Sequence, residues 1–340
     1  MVPIDNMTNS LVEHKTTLLI ALIIMAGGSV GAYFVIDFIG AQNPKQITLA
    51  TTTSTYDSGL LDYLLPKFTE ATGIDIKVLS VGTGQAIAYG ESGDADVIFV
   101  HSRTREDEFI NDTSGHTPYG VHRASIMYND FIIVGHVSNP ANLEPGDNII
   151  VVMTKLKNAI DSDNTTFYSR GDNSGTYSKE KELWTEIGVV AATIWSGQPD
   201  KYTETGQGMG STLLMTYQDS RNRGYTLIDR GTWLSLNDTY TNLDILAKSV
   251  IGEDYLLNPY GFIPVNPDRH SHVKHEAVLR LGGFLTSPYG QSLIGAYRKN
   301  SVVLFQPNFG VCNNTNNCDT INDEIIFWSQ YQSEFASLSI

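Results

Sequence analysis

Four stretches of this chain combine glycine, serine and threonine in a way that suits the binding of an anion. Each lies where a strand pattern ends and a helix pattern begins, at residues 51–59, 81–86, 169–176 and 204–212. The first turn of a helix has backbone N–H groups without intrahelical partners, and the helix dipole places partial positive charge there. Ordinary N-capping by serine or threonine explains any one of these turns alone. Their convergence at one edge of a sheet would favour a shared oxyanion site.

Arg170 is the only cation within these four turns. Its guanidinium group carries up to five N–H donors in a fixed fork, which suits a tetrahedral oxyanion. The alternative is an ion pair with Asp172, and the sequence leaves both possibilities open.

Other kinds of chemistry lack their motifs. The chain has no G-x-x-x-x-G-K-[ST] sequence, and Gly206, Gly208 and Gly210 do not complete G-x-G-x-x-G because Ser211 occupies the last place. No G-x-S-x-G sequence follows residue 42, and no histidine lies in the four turns, which argues against a serine hydrolase or a phosphatase. The histidines at 270, 272 and 275 lack further ligands at suitable spacing, so no metal site is expected.

An α/β scaffold would have to position these turns. Short β-branched runs at 47–50, 74–81, 96–101, 127–136 and 258–267 alternate with helical patterns, which predicts a parallel sheet. Leucines from Leu60 to Leu65 predict a helix that Pro66 should bend or shorten. We expect two lobes connected by strands that cross near Phe131 and Asn258 and act as a hinge.

Length and charge limit the classes of function. The chain has 340 residues, enough for about two domains, and a formal net charge of −15. Nucleic-acid binding is disfavoured, because such proteins concentrate lysine and arginine. The same acidity repels an anion at long range, so local groups would have to attract it.

The N-terminus predicts a membrane segment. No charged residue lies between Lys15 and Asp37, and a helix of that length spans about 30 Å, the thickness of a bilayer core. We expect a flank at 1–15, then an uncleaved signal-anchor at 16–41 rather than a cleaved peptide, which would make this a single-pass protein of the cell membrane with an extracytoplasmic body.

Cysteines and glycosylation sequences fit that location. Cys312 and Cys318 enclose a short polar loop, which predicts a disulfide, with two free thiols as the alternative. Acceptor sequences for N-glycosylation occur at Asn111, Asn164, Asn237 and Asn313.

Seven motifs in order resemble one known family. They are TTTSTYDSGLL, VGTGQA, GDADVIFVH, MYNDFIIVG, SRGDNSGT, ETGQGMGSTL and NPYGFIPVNP, within residues 47–309. Together they resemble the tungstate-binding receptors of ABC importers, the TupA-type family. The resemblance implies a type II periplasmic-binding-protein fold, with lobe I at 46–132 and 256–340 and lobe II at 133–255.

The resemblance also implies a function without catalysis. We expect a monomer that captures tungstate or molybdate, uses no cofactor and delivers the anion to the ABC permease. The alternatives are a receptor for sulfate or phosphate, an extracellular phosphoryl-handling enzyme, or an adhesion or sensory ectodomain. The residues implied to bind the anion are Thr52, Thr53, Ser54, Thr83, Arg170, Ser174, Thr176, Gly208 and Ser211.

Overall fold

The computed structural model describes residues 46–111, 115–172, 174–249, 255–312 and 321–340. The strands within these ranges are β1 (Gln46–Thr52), β2 (Asp75–Val81), β3 (Val97–Val100), β4 (Ala124–His136), β5 (Thr166–Ser169), β6 (Tyr202–Glu204), β7 (Gly224–Asp229), β8 (Leu243–Ala247), β9 (Leu257–Pro264), β10 (Arg298–Lys299), β11 (Val302–Val303) and β12 (Gln306–Pro307). The helices are α1 (Thr53–Asp57), α2 (Leu60–Thr72), α3 (Thr83–Ser92), α4 (Arg103–Ile110), α5 (Ile149–Asp161), α6 (Gly175–Glu186), α7 (Ala191–Ile194), α8 (Met209–Tyr217), α9 (Arg230–Leu236), α10 (His275–Thr286), α11 (Pro288–Ala296) and α12 (Ile321–Gln332), followed by a 3₁₀ turn at Ser333–Phe335.

The main sheet follows the order β2-β1-β3-β9-β4-β7-β5-β6, and β8 and β12 also pair with β4. Its outer strands are parallel: β1 pairs with β2 and β3, and β5 pairs with β6 and β7. The expectation of a parallel sheet throughout is wrong at the centre, where β9 runs antiparallel to both β3 and β4. The chain reaches β9 only after the whole segment 137–256, and β9 then runs in the direction opposite to that of its two neighbours.

The long strand β4 belongs to both parts of this sheet. Its first half pairs with β9, where Asn129 faces Asn258. From Phe131 onward it pairs with β7 on one side, where Phe131 faces Asp229, and with β8. One strand therefore connects the parallel strands of the N-terminal part to those of the middle part.

Three buried clusters form the core. One lies among the middle strands and α5 and α6, around Phe167, Trp184 and Trp195. The largest packs α2 and α10 against β1 and β9, around Phe68 and Phe284, and Trp233 of α9 joins it. A third lies on the other face of β3, around Ile98. Since side chains of the middle segment contribute to the largest cluster, the lobe bounds at 46–132, 256–340 and 133–255 stay a prediction.

The helix α2 does not stop at its proline. It runs unbroken from Leu60 to Thr72 with Pro66 inside it, so of the two expected effects of the proline the shortening is wrong and the bend stays a prediction. Pro66 has no N–H to offer the carbonyl of Asp62, and both residues are exposed, so water can reach that carbonyl. Leu64 and Phe68 bury the opposite face and hold the helix on the sheet.

Several predictions from the sequence fall outside the described ranges. These are the flank at 1–15, the membrane segment at 16–41, Cys318 and Asn313. Among the helices that are described, none combines the length and apolar character needed to cross a bilayer. The membrane anchor and the Cys312–Cys318 disulfide therefore stay predictions.

Candidate functional site

The first of the four turns connects β1 to α1. Thr52, which is 3% exposed, caps α1: its backbone is extended, and its hydroxyl oxygen accepts the Thr55 N–H at 3.2 Å. The Thr52 and Ser54 hydroxyl oxygens lie 3.1 Å apart. Thr53 is exposed and Ser54 is partly exposed. Thr52, Thr53 and Ser54 thus place their hydroxyl and N–H groups at the carboxyl end of a buried strand.

His101 contacts this turn, although it is not among the site residues predicted from the sequence. It follows directly after β3, and its Nε2 is 3.1 Å from Thr52 Oγ1 and 3.3 Å from Ser54 Oγ. Its ring stacks on Tyr260, with centroids 4.8 Å apart. Burial lowers the pKa of His101 to about 4. The available signal was a polar residue directly after four buried strand residues, at the edge of the sheet where ligands bind.

The third turn connects β5 to α6 and carries Arg170. An Arg170 Nη2–H donates to Asp172 Oδ2 at 2.5 Å, so the ion pair that the sequence left open does form. The Nε of Arg170 is nevertheless buried without a hydrogen-bond partner among the described residues. Gly171 has a φ of +60°, and a Cβ there would lie 2.5 Å from Glu204 Cβ. The turn therefore requires glycine directly after the arginine.

The start of α6 brings this turn to His101. Ser174 caps the helix, since its hydroxyl oxygen accepts the Tyr177 N–H at 3.2 Å. Gly175 packs so closely that a Cβ on it would lie 3.3 Å from His101 Cε1. Thr176 is buried in the same first turn. The Thr52 turn and the Arg170 turn, which are more than a hundred residues apart in sequence, thus meet around one imidazole ring.

The other two turns, before α3 and before α8, lie beside the region where the Thr52 and Arg170 turns meet. Gly82 caps α3 with extended backbone, and Thr83 after it is buried. Gly82 and Ser174 line one cavity of about 670 Å³, so the Thr83 turn faces the Arg170 turn.

The turn before α8 contacts Arg170 through backbone. The Gly206 N–H donates to the Arg170 carbonyl at 2.9 Å. Gly208 caps α8, and Gly208 and Ser211 are both exposed. Within the described ranges, no hydrogen bond links this turn to the Thr52 or Thr83 turn.

A larger cavity, of about 950 Å³, opens beside His101 and Gly175. Four basic side chains line it, two from α4 and two from α6: Arg103, Arg105, Lys179 and Lys181. Acidic partners offset some of this charge, because Arg103 pairs with Asp107 and Lys179 with Glu182, each at 2.8 Å. Among the residues that line this cavity, basic side chains therefore outnumber the acidic ones, Glu108 and Glu182, which favours the approach of anions.

The buried carboxyl group of Glu180 stabilises the Arg170 turn through hydrogen bonds. Glu180 accepts hydrogen bonds from the Ser169 hydroxyl and the Tyr202 hydroxyl, each at 2.7 Å. Ser169 in turn accepts the Gly171 N–H at 3.2 Å. Burial raises the pKa of Glu180 to about 7, and the hydrogen bonds from Tyr202 and Ser169 limit the rise.

This pKa predicts a pH dependence of stability. The ordinary pKa of glutamate is 4.5, so between about pH 4.5 and 7 the folded state binds more protons than the unfolded state. The stabilisation is therefore full below about pH 4.5 and is lost as the pH rises to about 7. Glu180→Gln cannot ionise, so relative to this variant the free energy of unfolding of the wild type should fall between pH 5 and 7.5.

Urea unfolding at several pH values measures this difference. Glu182→Gln, on the same helix but half exposed, is the matched control and should follow the wild-type profile. Parallel profiles for the wild type and Glu180→Gln would contradict the prediction.

Known proteins are similar to this chain in sequence and in fold. The profile of the PBP superfamily domain matches residues 40–288. The chain is 44% identical over 272 residues to the tungstate-binding protein TupA of Peptoclostridium acidaminophilum, covering 78% of this chain and 87% of that protein.

Two solved structures are also similar. The tungstate-binding protein TupA from Desulfovibrio alaskensis G20 has a TM-score of 0.65 and 37% identity, covering 77% of this chain and 98% of that one. The tungstate ABC transporter structure from Geobacter sulfurreducens has a TM-score of 0.62 and 41% identity, covering 74% and 99%. The mixed α/β fold is therefore two-lobed, as predicted, and the chain belongs to the PBP superfamily and, within it, to the TupA family.

Proposed function

We propose that this chain is the extracytoplasmic receptor of an ABC importer, and that it captures tungstate between its lobes and delivers it to the permease. The observation that carries the proposal is the meeting of the Thr52 and Arg170 turns at His101, where the Arg170 Nε is buried and has no hydrogen-bond partner among the residues that the structure describes. A buried guanidinium N–H that has lost water without gaining an acceptor is costly. A bound oxyanion would supply that acceptor.

The proposed anion site consists mainly of donors. Both carboxylate oxygens of Asp172 are already engaged, one by Arg170 and the other by the Ser174 N–H at 3.0 Å. A deprotonated tetrahedral oxyanion only accepts hydrogen bonds, whereas hydrogen phosphate also needs an acceptor for its own O–H. Such a site favours a fully deprotonated oxyanion over hydrogen phosphate. Among such anions we propose tungstate, because the similar protein of Peptoclostridium acidaminophilum is a tungstate-binding protein, with molybdate as the alternative of nearly the same size and shape. The proposed ligand-binding residues are Thr52, Thr53, Ser54, Thr83, Arg170, Ser174, Thr176, Gly208 and Ser211.

The setting of this receptor is part of the proposal. A signal-anchor at 16–41 would keep the protein at the outer face of the cell membrane, and a Cys312–Cys318 disulfide would close the polar loop near the C-terminus. The receptor would act as a monomer with no cofactor. Binding of the anion would bring the lobes together and form the surface that the permease recognises.

An enzyme is the second candidate, because the geometry includes a hydroxyl beside an imidazole. His101 contacts Ser54 Oγ through Nε2 and Asn258 Oδ1 through Nδ1, the latter at 2.9 Å. A nucleophile, a base and a group that orients the base are arranged in this way in acyl-transfer enzymes. A histidine with a pKa of about 4 is a weak base at neutral pH, and the relatives are transport proteins. We therefore favour the receptor.

A panel of oxyanions tests the proposal. Tungstate and molybdate should each raise the melting temperature, since saturation at 100 times Kd stabilises the folded state by about 2.7 kcal/mol, and phosphate should have little effect. Differential scanning fluorimetry measures the shifts, and calorimetry should give one anion per chain. Equal shifts with phosphate would contradict the selectivity. Hydrolysis of a chromogenic phosphate ester that is lost in Ser54→Ala would support the enzyme instead.

A further inference from the structure

A buried carboxylate fixes the direction of a hydrogen-bond chain that reaches the proposed anion site. Asp229, which is 2% exposed, accepts the Thr232 N–H on Oδ1 at 3.1 Å and an Asn129 Nδ2–H on Oδ2 at 2.7 Å. Burial raises the pKa of Asp229, and the hydrogen bonds from Asn129 and Thr232 lower it. The ionised carboxylate can only accept, so in this state Asn129 presents its NH₂ group to Asp229. Its oxygen therefore faces away from Asp229, towards Asn258.

Asn258 is the next residue in this hydrogen-bond chain. Its Nδ2 donates to Asn129 Oδ1 at 2.8 Å, which turns its own oxygen towards His101. That oxygen is 2.9 Å from His101 Nδ1, so Nδ1 must carry a proton in order to donate. Tyr260 stacks on the ring and holds its plane. The charge on Asp229 thus selects the tautomer of a histidine three hydrogen bonds away.

This tautomer determines what faces the Thr52 turn. In a neutral imidazole with a proton on Nδ1, Nε2 is an acceptor. Thr52 Oγ1 and Ser54 Oγ lie 3.1 and 3.3 Å from Nε2. Nε2 has a single lone pair, so when no anion is bound it accepts a hydrogen bond from one of these two hydroxyl groups, of which Thr52 is the nearer. They are the same hydroxyl groups that the proposed function assigns to the anion.

We propose that His101 is a further residue of the anion site, and that its Nε2 takes up one proton from solvent when a dianion binds. The proton adds to the lone pair of Nε2, the ring becomes a cation with donors at both nitrogens, and the hydroxyl group that donated to Nε2 becomes free to donate to the anion. This inference rests on the proposed function.

Several charged groups surround His101. The cavity beside its ring is lined by the basic and acidic side chains of Arg103, Arg105, Lys179, Lys181, Glu108 and Glu182. Burial and the positive charge of Arg170 lower the pKa of His101 in the free protein, whereas Glu106 raises it and is itself paired with Arg123. Asp229 acts through the two asparagines. A bound dianion would offset the charge of Arg170 and add negative charge beside the ring, and both effects raise the pKa of His101. Affinity should therefore increase as the pH falls, by up to about tenfold per pH unit between the free and the bound pKa.

Calorimetry tests the proposal on the whole protein with micromolar tungstate. Titrations at one pH near 6.5, in two buffers with different ionisation enthalpies, give the number of protons taken up. The wild type should take up a measurable fraction of a proton, up to about one. His101→Gln should bind more weakly and take up none, and His136→Gln, at a partly exposed position far along β4, should behave like the wild type.

The outcomes separate this inference from the proposed function. Tungstate binding without proton uptake in the wild type, or the same uptake in His101→Gln, would overturn the role of His101 while leaving the receptor intact. Absence of any binding would instead refute the proposed function. The ¹⁵N resonances of His101 in the anion-free protein give a second measurement that needs no ligand and no variant: a proton on Nδ1 is expected, and a proton on Nε2 alone would overturn the argument.

Discussion

Replacing Arg170 with alanine should weaken tungstate binding by about tenfold to a hundredfold, because a buried hydrogen bond to a charged group contributes about 1.5–3 kcal/mol. Only 12% of the Arg170 side chain is exposed, so water cannot substitute well for the guanidinium group. The variant would leave Asp172 near the anion without its cation, which adds repulsion. Isothermal titration calorimetry at neutral pH measures the affinity.

Two further variants make this result specific. Arg221→Ala removes the same charge from an exposed position in the same part of the chain, where Arg221 pairs with Asp200, and should change the affinity less than twofold. Arg170→Lys keeps the charge but loses the planar fork, so its affinity should lie between those of the wild type and Arg170→Ala. If Arg170→Ala bound tungstate as tightly as Arg221→Ala does, the assignment of Arg170 to the site would be wrong.

Replacing Arg123 with leucine should lower the free energy of unfolding by about 3–5 kcal/mol, because it leaves a buried carboxylate without its cation. Glu106 is fully buried, and its Oε2 accepts the Arg123 Nε–H at 2.8 Å. Its other oxygen accepts the Ser102 N–H at 2.8 Å, next to His101. The pair therefore also anchors the loop that carries the histidine. Urea denaturation followed by circular dichroism gives the free energy.

The control variant changes Arg103, which lies on α4, the helix that carries Glu106. Arg103 pairs with Asp107 in an exposed i,i+4 arrangement, and Arg103→Ala should cost about 0.5 kcal/mol or less. A double variant in which leucine replaces both Glu106 and Arg123 should recover much of the lost stability, since no unpaired charge remains. If Arg123→Leu and Arg103→Ala lowered the free energy of unfolding equally, burial would not make the Glu106–Arg123 pair more important than an exposed pair.

The local features of this protein could be predicted from its sequence, and the features that depend on distant contacts could not. Capping at Thr52 and Ser174 follows from residue type beside a helical pattern, and both residues do cap helices. The effect of Pro66 depends on which face of α2 is exposed, and a short pattern does not reveal that. His101 was missed because its partners, Thr52 and Asn258, come from strands far apart in sequence. Arg170 forms an ion pair and also has a buried donor without a partner in the described part of the chain, a combination that only side-chain positions reveal.

The position of β9 has a consequence for the order in which the chain can fold. This strand lies between β3 and β4 in the sheet, with Val97 facing Pro264 and Asn129 facing Asn258, yet it is made more than a hundred residues after either neighbour. A growing chain that ends before Leu257 leaves two apolar strand edges open, and open edges pair readily with other chains. Until about the last quarter of the chain has been made, these two edges therefore have no partner within the protein, and we expect incomplete chains to aggregate more readily than complete ones.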